Sequence, residues 1–436
     1  MKGMISKRSF SGVLACIAAV TGLVGCGEED PTDVGGSLLP GQAIRTVELI
    51  VDGAAYLARD TSFTGYTRPS NAGYFIFANS FQGVFNANAI AHFEMPTAIA
   101  VVDTGGTLRT DSMPTLFAGR IVLLIDTLRS DGPAPARFGA HRLTQEFDVA
   151  SANWTYRVDT TGVQTPWSQP GALGGMPIDT ASWVAGLDSV VIAIDSATIA
   201  AWADTTNAAR GAVVVMETAG IRAVATDFVL RVDARSTLNP DTVVTTTIRP
   251  PERTFLFDPV LAAAGVEPLV GGNPAWRTYF EFNSGIDTLT VGCPDAPVTC
   301  RIPLRDADIT FAAMQLVPQV SPPGFLPSDS MQLVSRLLLV SDIAPLPRSP
   351  LGAAVGVTQG FVRRTRFLAP AGGAPIEVPV TDYVRALVAD TSTADPLTRW
   401  MAIHPAIEGI DIGVAAFAQM PRLRLVLTVA SELQLR

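Results

Sequence analysis

Lysine stands only at positions 2 and 7 of the 436 residues, histidine only at 92, 141 and 404, and cysteine only at 16, 26, 293 and 300. Beyond Lys7 every strong base is therefore an arginine, which excludes Schiff-base chemistry, a lysine nucleophile and lysine isopeptide cross-links from the rest of the chain. Scarce histidine confines a Ser-His-Asp arrangement or a zinc site to His92, His141 or His404. His92 falls in a strand pattern beside Phe93, His141 at the end of another beside Arg142, and His404 just before Pro405. Each reads as a sheet or solvated residue rather than a ligand. The usual catalytic spacings are missing as well: G-x-S-x-G, H-E-x-x-H, the P-loop, the Rossmann fingerprint and C-x-x-C. Positive charge is in deficit, with 31 Lys and Arg against 40 Asp and Glu and a formal charge of -9. That balance argues against nucleic acid as a partner and against electrostatic adhesion to an anionic membrane.

What is present begins with a signal. Lys2, Lys7 and Arg8 precede the apolar and small-residue stretch Phe10 to Val24, which is too short and too rich in Gly and Ala to span a bilayer. Leu23-Val24-Gly25-Cys26 at its end resembles the lipobox of bacterial lipoproteins. The resemblance implies cleavage before Cys26 and lipid on its thiol, so that residues 1–25 are a signal peptide and the membrane is reached through that lipid. Gly27, standing where Asp would favour inner-membrane retention, points to the outer membrane, on its periplasmic or external side. Loss of residues 1–25 removes three positive charges and no negative ones, taking the formal charge from -9 to -12. Residues 26–45, acidic at Glu28 to Asp30 and glycine-rich after, read as a flexible tether with an r.m.s. reach of about 25 Å.

Cys293 and Cys300 remain as a pair in "CPDAPVTC", and in an oxidising compartment they read as a disulfide. Closing so small a loop contributes about 2–3 kcal/mol.

With 48% hydrophobic and 16% charged residues, the chain can bury a large core, and its length suits two domains. Short β-rich runs such as "RIVLLIDT" and "DSVVIAID", separated by Gly, Pro, Asp and Asn, predict an all-β antiparallel sandwich. The runs also repeat. "SATIAAWAD" after "VVIAID" matches "TDYVRALVAD" after "PIEVPV": Ile199 and Trp202 repeat as Val384 and Leu387, with Ser196 and Thr381 as N-caps. "GAVVVMET" and "DFVLRVDA" then match "IDIGVAAF" and "RLRLVLTVA". "AIAHFEMP" matches "RTYFEFNSG", and "RIVLLIDT" before a Pro-bearing segment matches "FAAMQLVP" before another. This order predicts an internal duplication, with copies at 46–238 and 239–436. The stretch "STLNPDTVVTTTIRPP" between them can itself be a strand shared by both.

"HFEMP", "HRLTQEFDVASANWTYR" with "TPWSQPGA", and the two helices with the strands after them resemble the DNRLRE-type domain of secreted bacterial proteins. That resemblance implies two tandem jelly-roll-like sandwiches, each with one short helix. Copy 2 lacks a Trp-rich loop after "SRLLLVS".

Trp154, Tyr156 and Trp167, in a polar loop region, are the candidate ligand-binding residues, since aromatic faces stack on sugar rings. Their alternative role is to seal one end of the sandwich. Oxygen-rich turns at Asp103 to Asp111 and Asp126 to Gly132 allow a structural calcium, although neither has EF-hand spacing, and no other cofactor is implied. The reading favours a lipid-anchored, non-enzymatic binding or structural surface module, with carbohydrate or another envelope component as partner. The alternatives are a surface polysaccharide hydrolase using paired carboxylates and a subunit of an envelope assembly.

Overall fold

The computed structural model describes residues 44–430 except 133–134, 185, 208, 260, 262–267, 274, 284–285, 287, 293–298, 340–345, 356–359, 363–373 and 392–396. Cys26 and Cys293 lie outside the described residues, so the lipid site and the Cys293–Cys300 disulfide are not addressed by it.

The protein is all-β, with antiparallel pairing throughout the sheets. The chain starts with β1 (Ile44–Val51) and β2 (Leu57–Phe63), joined through the one-turn helix α1 (Gly53–Tyr56). A first copy follows as β3 (Phe75–Phe81), β4 (Phe85–His92), β5 (Ile99–Val102), β6 (Leu108–Asp111), β7 (Thr115–Ile125), β8 (Ala136–Arg142), β9 (Tyr156–Thr160) and β10 (Val163–Pro166). It continues as β11 (Pro177–Trp183), β12 (Ser189–Ile194), α2 (Ser196–Ala203), β13 (Gly211–Met216) and β14 (Ile221–Arg235). Next come β15 (Val243–Ile248) and β16 (Glu252–Asp258).

The second copy runs through β17 (Leu269–Gly271), β18 (Arg277–Phe282), β19 (Thr288–Gly292), β20 (Thr299–Pro303), β21 (Asp308–Leu316), β22 (Pro318–Gln319) and β23 (Met331–Leu338). It ends with β24 (Leu351–Ala354), β25 (Gly360–Val362), β26 (Ile376–Pro379), α3 (Thr381–Ala389), β27 (Trp400–Pro405), β28 (Val414–Phe417) and β29 (Arg422–Ala430).

The two copies share a topology. In copy 1, β8-β13-β4 is extended by β16, and β12-β7-β14 is extended by β15. In copy 2, β23-β27-β18 is extended by β2, and β26-β21-β29 is extended by β1. The start of β14 pairs with β3 as β28 pairs with β17. One pairing read from the sequence is displaced: the counterpart of "GAVVVMET" is β27, which lies between β23 and β18 as β13 lies between β8 and β4, whereas "IDIGVAAF" ends in β28. Similar apolar content in β27 and β28 hides this.

Strand pairing does not follow a cut between 238 and 239: β1 and β2 complete copy 2, through β29 and β18, while β15 and β16 complete copy 1, through β14 and β4. Each copy is closed by the strand pair that precedes the other in sequence.

Side-chain pattern explains the layers. β12 alternates, burying Val190, Ile192 and Ile194 while Val191 faces solvent. β13 is buried at every residue, because Ala212, Val214 and Met216 enter the inner core while Val213 and Val215 enter a second apolar layer on the outer face. α2 packs Ile199 and Trp202 inward, with Phe93 4.9 Å from the Trp202 ring, and α3 buries Val384 and Leu387. The cap of α2 is Asp195, whose Oδ1 accepts from Thr198 N at 2.6 Å; Ser196 is the first helical residue. Thr381 likewise opens α3 from inside, its hydroxyl accepting from Ala312 N of β21. Position decides this: Ser196 and Thr381 already lie inside the first turn, so the capping place falls to the residue before each, Asp195 for α2 and Val380, which has no capping side chain, for α3.

The copies meet along a buried seam. Phe325 of copy 2 sits in the copy 1 core, 5.3 Å from the Phe85 ring, and Gln82 accepts from Gly324 N at 2.7 Å.

Candidate functional site

The residues chosen from sequence do not make an open platform. Trp167 is only 6% exposed, 6.3 Å from the Phe147 ring, and its Nε1 donates to Asn153 O at 2.8 Å. Trp154 is half-buried against the same layer as Ile90, Val213 and Leu256, and Gly171 passes so close that a Cβ there would lie 2.8 Å from the Trp154 ring. Tyr156 opens β9 and is half-buried. This Trp-bearing segment therefore folds down as the cover of copy 1's outer sheet face, with the rings supplying burial.

The oxygen-rich turns are filled by the chain itself. Asp103 Oδ1 accepts from Gly105 N and Thr107 N, while its Oδ2 pairs with Arg109. Asp111 accepts from Met113 N, Ser236 Oγ and Thr237 N, which together hold its carboxyl well below the usual range. Burial opposes the charge on Asp126, but bonds from Arg129 and from Leu128 N outweigh it and lower its pKa. Among the described residues no group of three His, Cys, Asp or Glu side chains gathers with metal-binding geometry.

A cluster that the sequence reading did not assemble lies on the outer face of copy 2. Period-two alternation along β18 puts Arg277 and Tyr279 on one face of the strand. Arg277 grips Glu408 with Nε at 2.5 Å and Nη2 at 2.7 Å, and its guanidinium lies 3.8 Å from the Tyr66 ring centroid. The Tyr66 and Tyr279 hydroxyls meet at 2.5 Å. His404 of β27 is buried, with Nδ1 2.7 Å from Pro405 O and 3.6 Å from Glu408.

Protonation in this cluster follows from burial. Both tyrosine hydroxyls are pushed up by desolvation, so they stay neutral. Burial also lowers His404, against the pull of Glu408, and keeps the ring neutral at pH 7. For Arg277 burial works against the charge, but the paired carboxylate outweighs it and raises the pKa. One guanidinium thus balances one carboxylate among neutral donors and acceptors. Such a set suits hydrogen bonding to a polar ligand better than proton transfer. Tyr66 and Arg277 also line an open cavity of about 660 Å³, with the exposed Arg348 at its edge. Arg-x-Tyr on a strand was the available signal; Tyr66 and Glu408, each more than 100 positions away, carried none.

A second cavity, of about 360 Å³, opens at the seam between the copies, where Arg129 faces Met331, Ile407, Ile410 and Asp411. Arg129 Nη1 donates to Ile410 O at 2.8 Å across it, and Asp411 is committed to the amides of Ser328 and Gly413.

No family model matches the chain, and no curated protein matches it. Among solved structures, one likeness is to a chain of the structure of infectious bursal disease virus Gx strain, at 10% identity over 90% of this chain and 74% of that one. Its TM-score is 0.09, which carries no argument about fold or function.

Proposed function

We propose that this chain is a lipid-anchored protein of the bacterial cell envelope, at the outer membrane, whose β-sandwich body is a non-enzymatic binding or structural module. The observation that carries the reading is Leu23-Val24-Gly25-Cys26, placed behind a charged and then apolar leader and ahead of a glycine-rich acidic stretch. Strand β1 begins at Ile44, so the stretch after Cys26 leaves room for a tether before the first paired residue. The body supports a binding or structural role through its balanced polar groups. Arg277 and Glu408 neutralise each other, and Asp103, Asp111 and Asp126 are occupied by amides and arginines.

The ligand class that fits the reading is a hydroxyl-rich envelope component such as a glycan. Its place is the cavity beside Tyr66 and Arg277, in preference to the buried Trp167.

The test is fractionation of the native protein beside a Cys26→Ala variant, followed by protease treatment of intact cells. Membrane association of the wild type and release of the variant are the expected results, and shaving then reports the side of the membrane. A variant that stays with the membrane as firmly as the wild type overturns the anchor. A glycan screen with Arg348→Ala and Tyr66→Phe then tests the cavity, and unchanged glycan binding by both removes it.

A further inference from the structure

Strands β15 and β16 directly precede copy 2 yet pair with copy 1, and β1 and β2 directly precede copy 1's β3 yet pair with copy 2. Two single-copy chains that had traded their leading strand pairs and then been joined end to end would look like this. In β proteins such trading is a low-cost route to dimers, because the swapped element makes identical contacts in either chain.

The leading arm, residues 44–63, is held by copy 2 through pairing and burial. β1 runs in register with β29 from Ile44 opposite Ala430 to Val51 opposite Leu423, and β2 runs along β18 from Phe63 opposite Arg277 to Leu57 opposite Phe282. Leu49, Val51, Tyr56 and Leu57 belong to the copy 2 core. Tyr56 donates to Pro421 O at 2.6 Å, and Asp60 accepts from Met420 N at 2.8 Å. None of these contacts depends on which chain supplies the arm. The equivalent slot on copy 1 is filled by β15 and β16, the strand pair that follows β14 after residues 236–242 and leads on into copy 2.

We propose that β1–β2 is an exchangeable arm and that its slot on copy 2, between β29 and β18, also accepts the arm of a second copy of this chain. Recognition is by strand addition: main-chain hydrogen bonds to the free edges of β29 and β18 supply affinity, and the pockets for Leu49, Tyr56 and Leu57 supply register. Within one chain the tethered arm wins by effective concentration; between crowded chains the two arrangements compete on equal contacts.

The test uses the full chain with Cys26→Ala and a protease site inserted after the exposed Gly65, cut once the protein has folded. In enough denaturant to release the cut arm, a fluorescent peptide of residues 44–63 is expected to bind one per chain and restore the stability of the uncut protein. The same peptide carrying Leu49→Asp and Leu57→Asp is expected to bind about 100-fold more weakly or worse. Uncut chains with two different tags, unfolded together and refolded at rising concentration, are expected to yield mixed dimers that the Leu49→Asp, Leu57→Asp chain does not form. No peptide uptake, equal uptake of the doubly substituted peptide, or refolding to monomer alone at every concentration overturns the proposal.

Discussion

Arg222, fully buried in β14 of copy 1, donates from Nη1 to the carbonyl oxygen of Leu326 in copy 2 at 2.6 Å. Its Nη2 donates to Ser328 Oγ at 2.9 Å, and the guanidinium lies over the Phe81 ring at 4.8 Å. A buried cation thus closes the seam between the copies with charge-assisted bonds. Replacing it by the similarly long Arg222→Met strands the Leu326 carbonyl without its donor. The expected loss is about 3 kcal/mol, read from the midpoint of chemical unfolding, with Arg222→Lys intermediate. A loss under about 1 kcal/mol removes this role.

Phe325 crosses the same seam in the other direction, with its ring against Phe85 and Phe257. Phe325→Ala leaves a cavity in a core to which copy 2 contributes few side chains. The expected cost is about 3–5 kcal/mol. Calorimetry is expected to show a broader or more clearly split transition in the variant than in the wild type, because the copies lose part of their coupling.

His404 links stability to pH. Its folded-state pKa lies below the ordinary 6.5, so below pH 6.5 the unfolded chain binds a proton that the folded chain refuses. This contribution is therefore fully present above pH 6.5 and is lost as the pH falls from there toward the folded-state pKa. The slope is at most about 1.4 kcal/mol per pH unit. His404→Gln is expected to flatten the denaturation midpoint across that window while leaving the steeper loss at lower pH. The latter belongs to carboxylates with lowered pKa such as Asp126 and Asp195. An unchanged profile in the variant contradicts the assignment.

Gly171 has φ +71° and lies against Trp154 and Asn88, whose Nδ2 donates to its carbonyl at 2.9 Å. Gly171→Ala is expected to cost about 1–3 kcal/mol and to loosen the Trp-bearing cover. The readout is a red shift and increased quenching of tryptophan fluorescence at 25 °C, before global unfolding. Fluorescence identical to wild type argues against a packed cover.

Asp195→Ala removes the α2 cap and is expected to cost about 1 kcal/mol in thermal or chemical unfolding, whereas Ser196→Ala is expected to change stability little. Equal effects of the two substitutions contradict the placement of the cap.

Much of the fold was written locally. Alternation in Val190, Ile192 and Ile194, and the three-residue spacing of Ile199 and Trp202, depend only on strand and helix geometry, so the elements and their buried faces followed from the sequence. The candidate site was another matter. Trp167 stands in polar text that suits either a binding face or a seal on the sandwich, and only the fold, which lays the segment onto Val213 and Leu256, decides between them. The cluster of Tyr66, Arg277, Tyr279, His404 and Glu408 is drawn from two loops and two strands, and no local pattern joins them.

By itself, then, the sequence determined the all-β class, the repeated order of strands and helices, and which side chains each element buries, since these are set by periodicity and chain-local hydrogen bonding. Only the tertiary structure decided which edge each leading strand pair completes. A β-strand offers nearly the same backbone donors and acceptors to any free edge, so β1 and β15 were both suited to either copy. Their exchange was settled by where Leu49, Tyr56 and Leu57, or Phe255 and Phe257, found a core to enter.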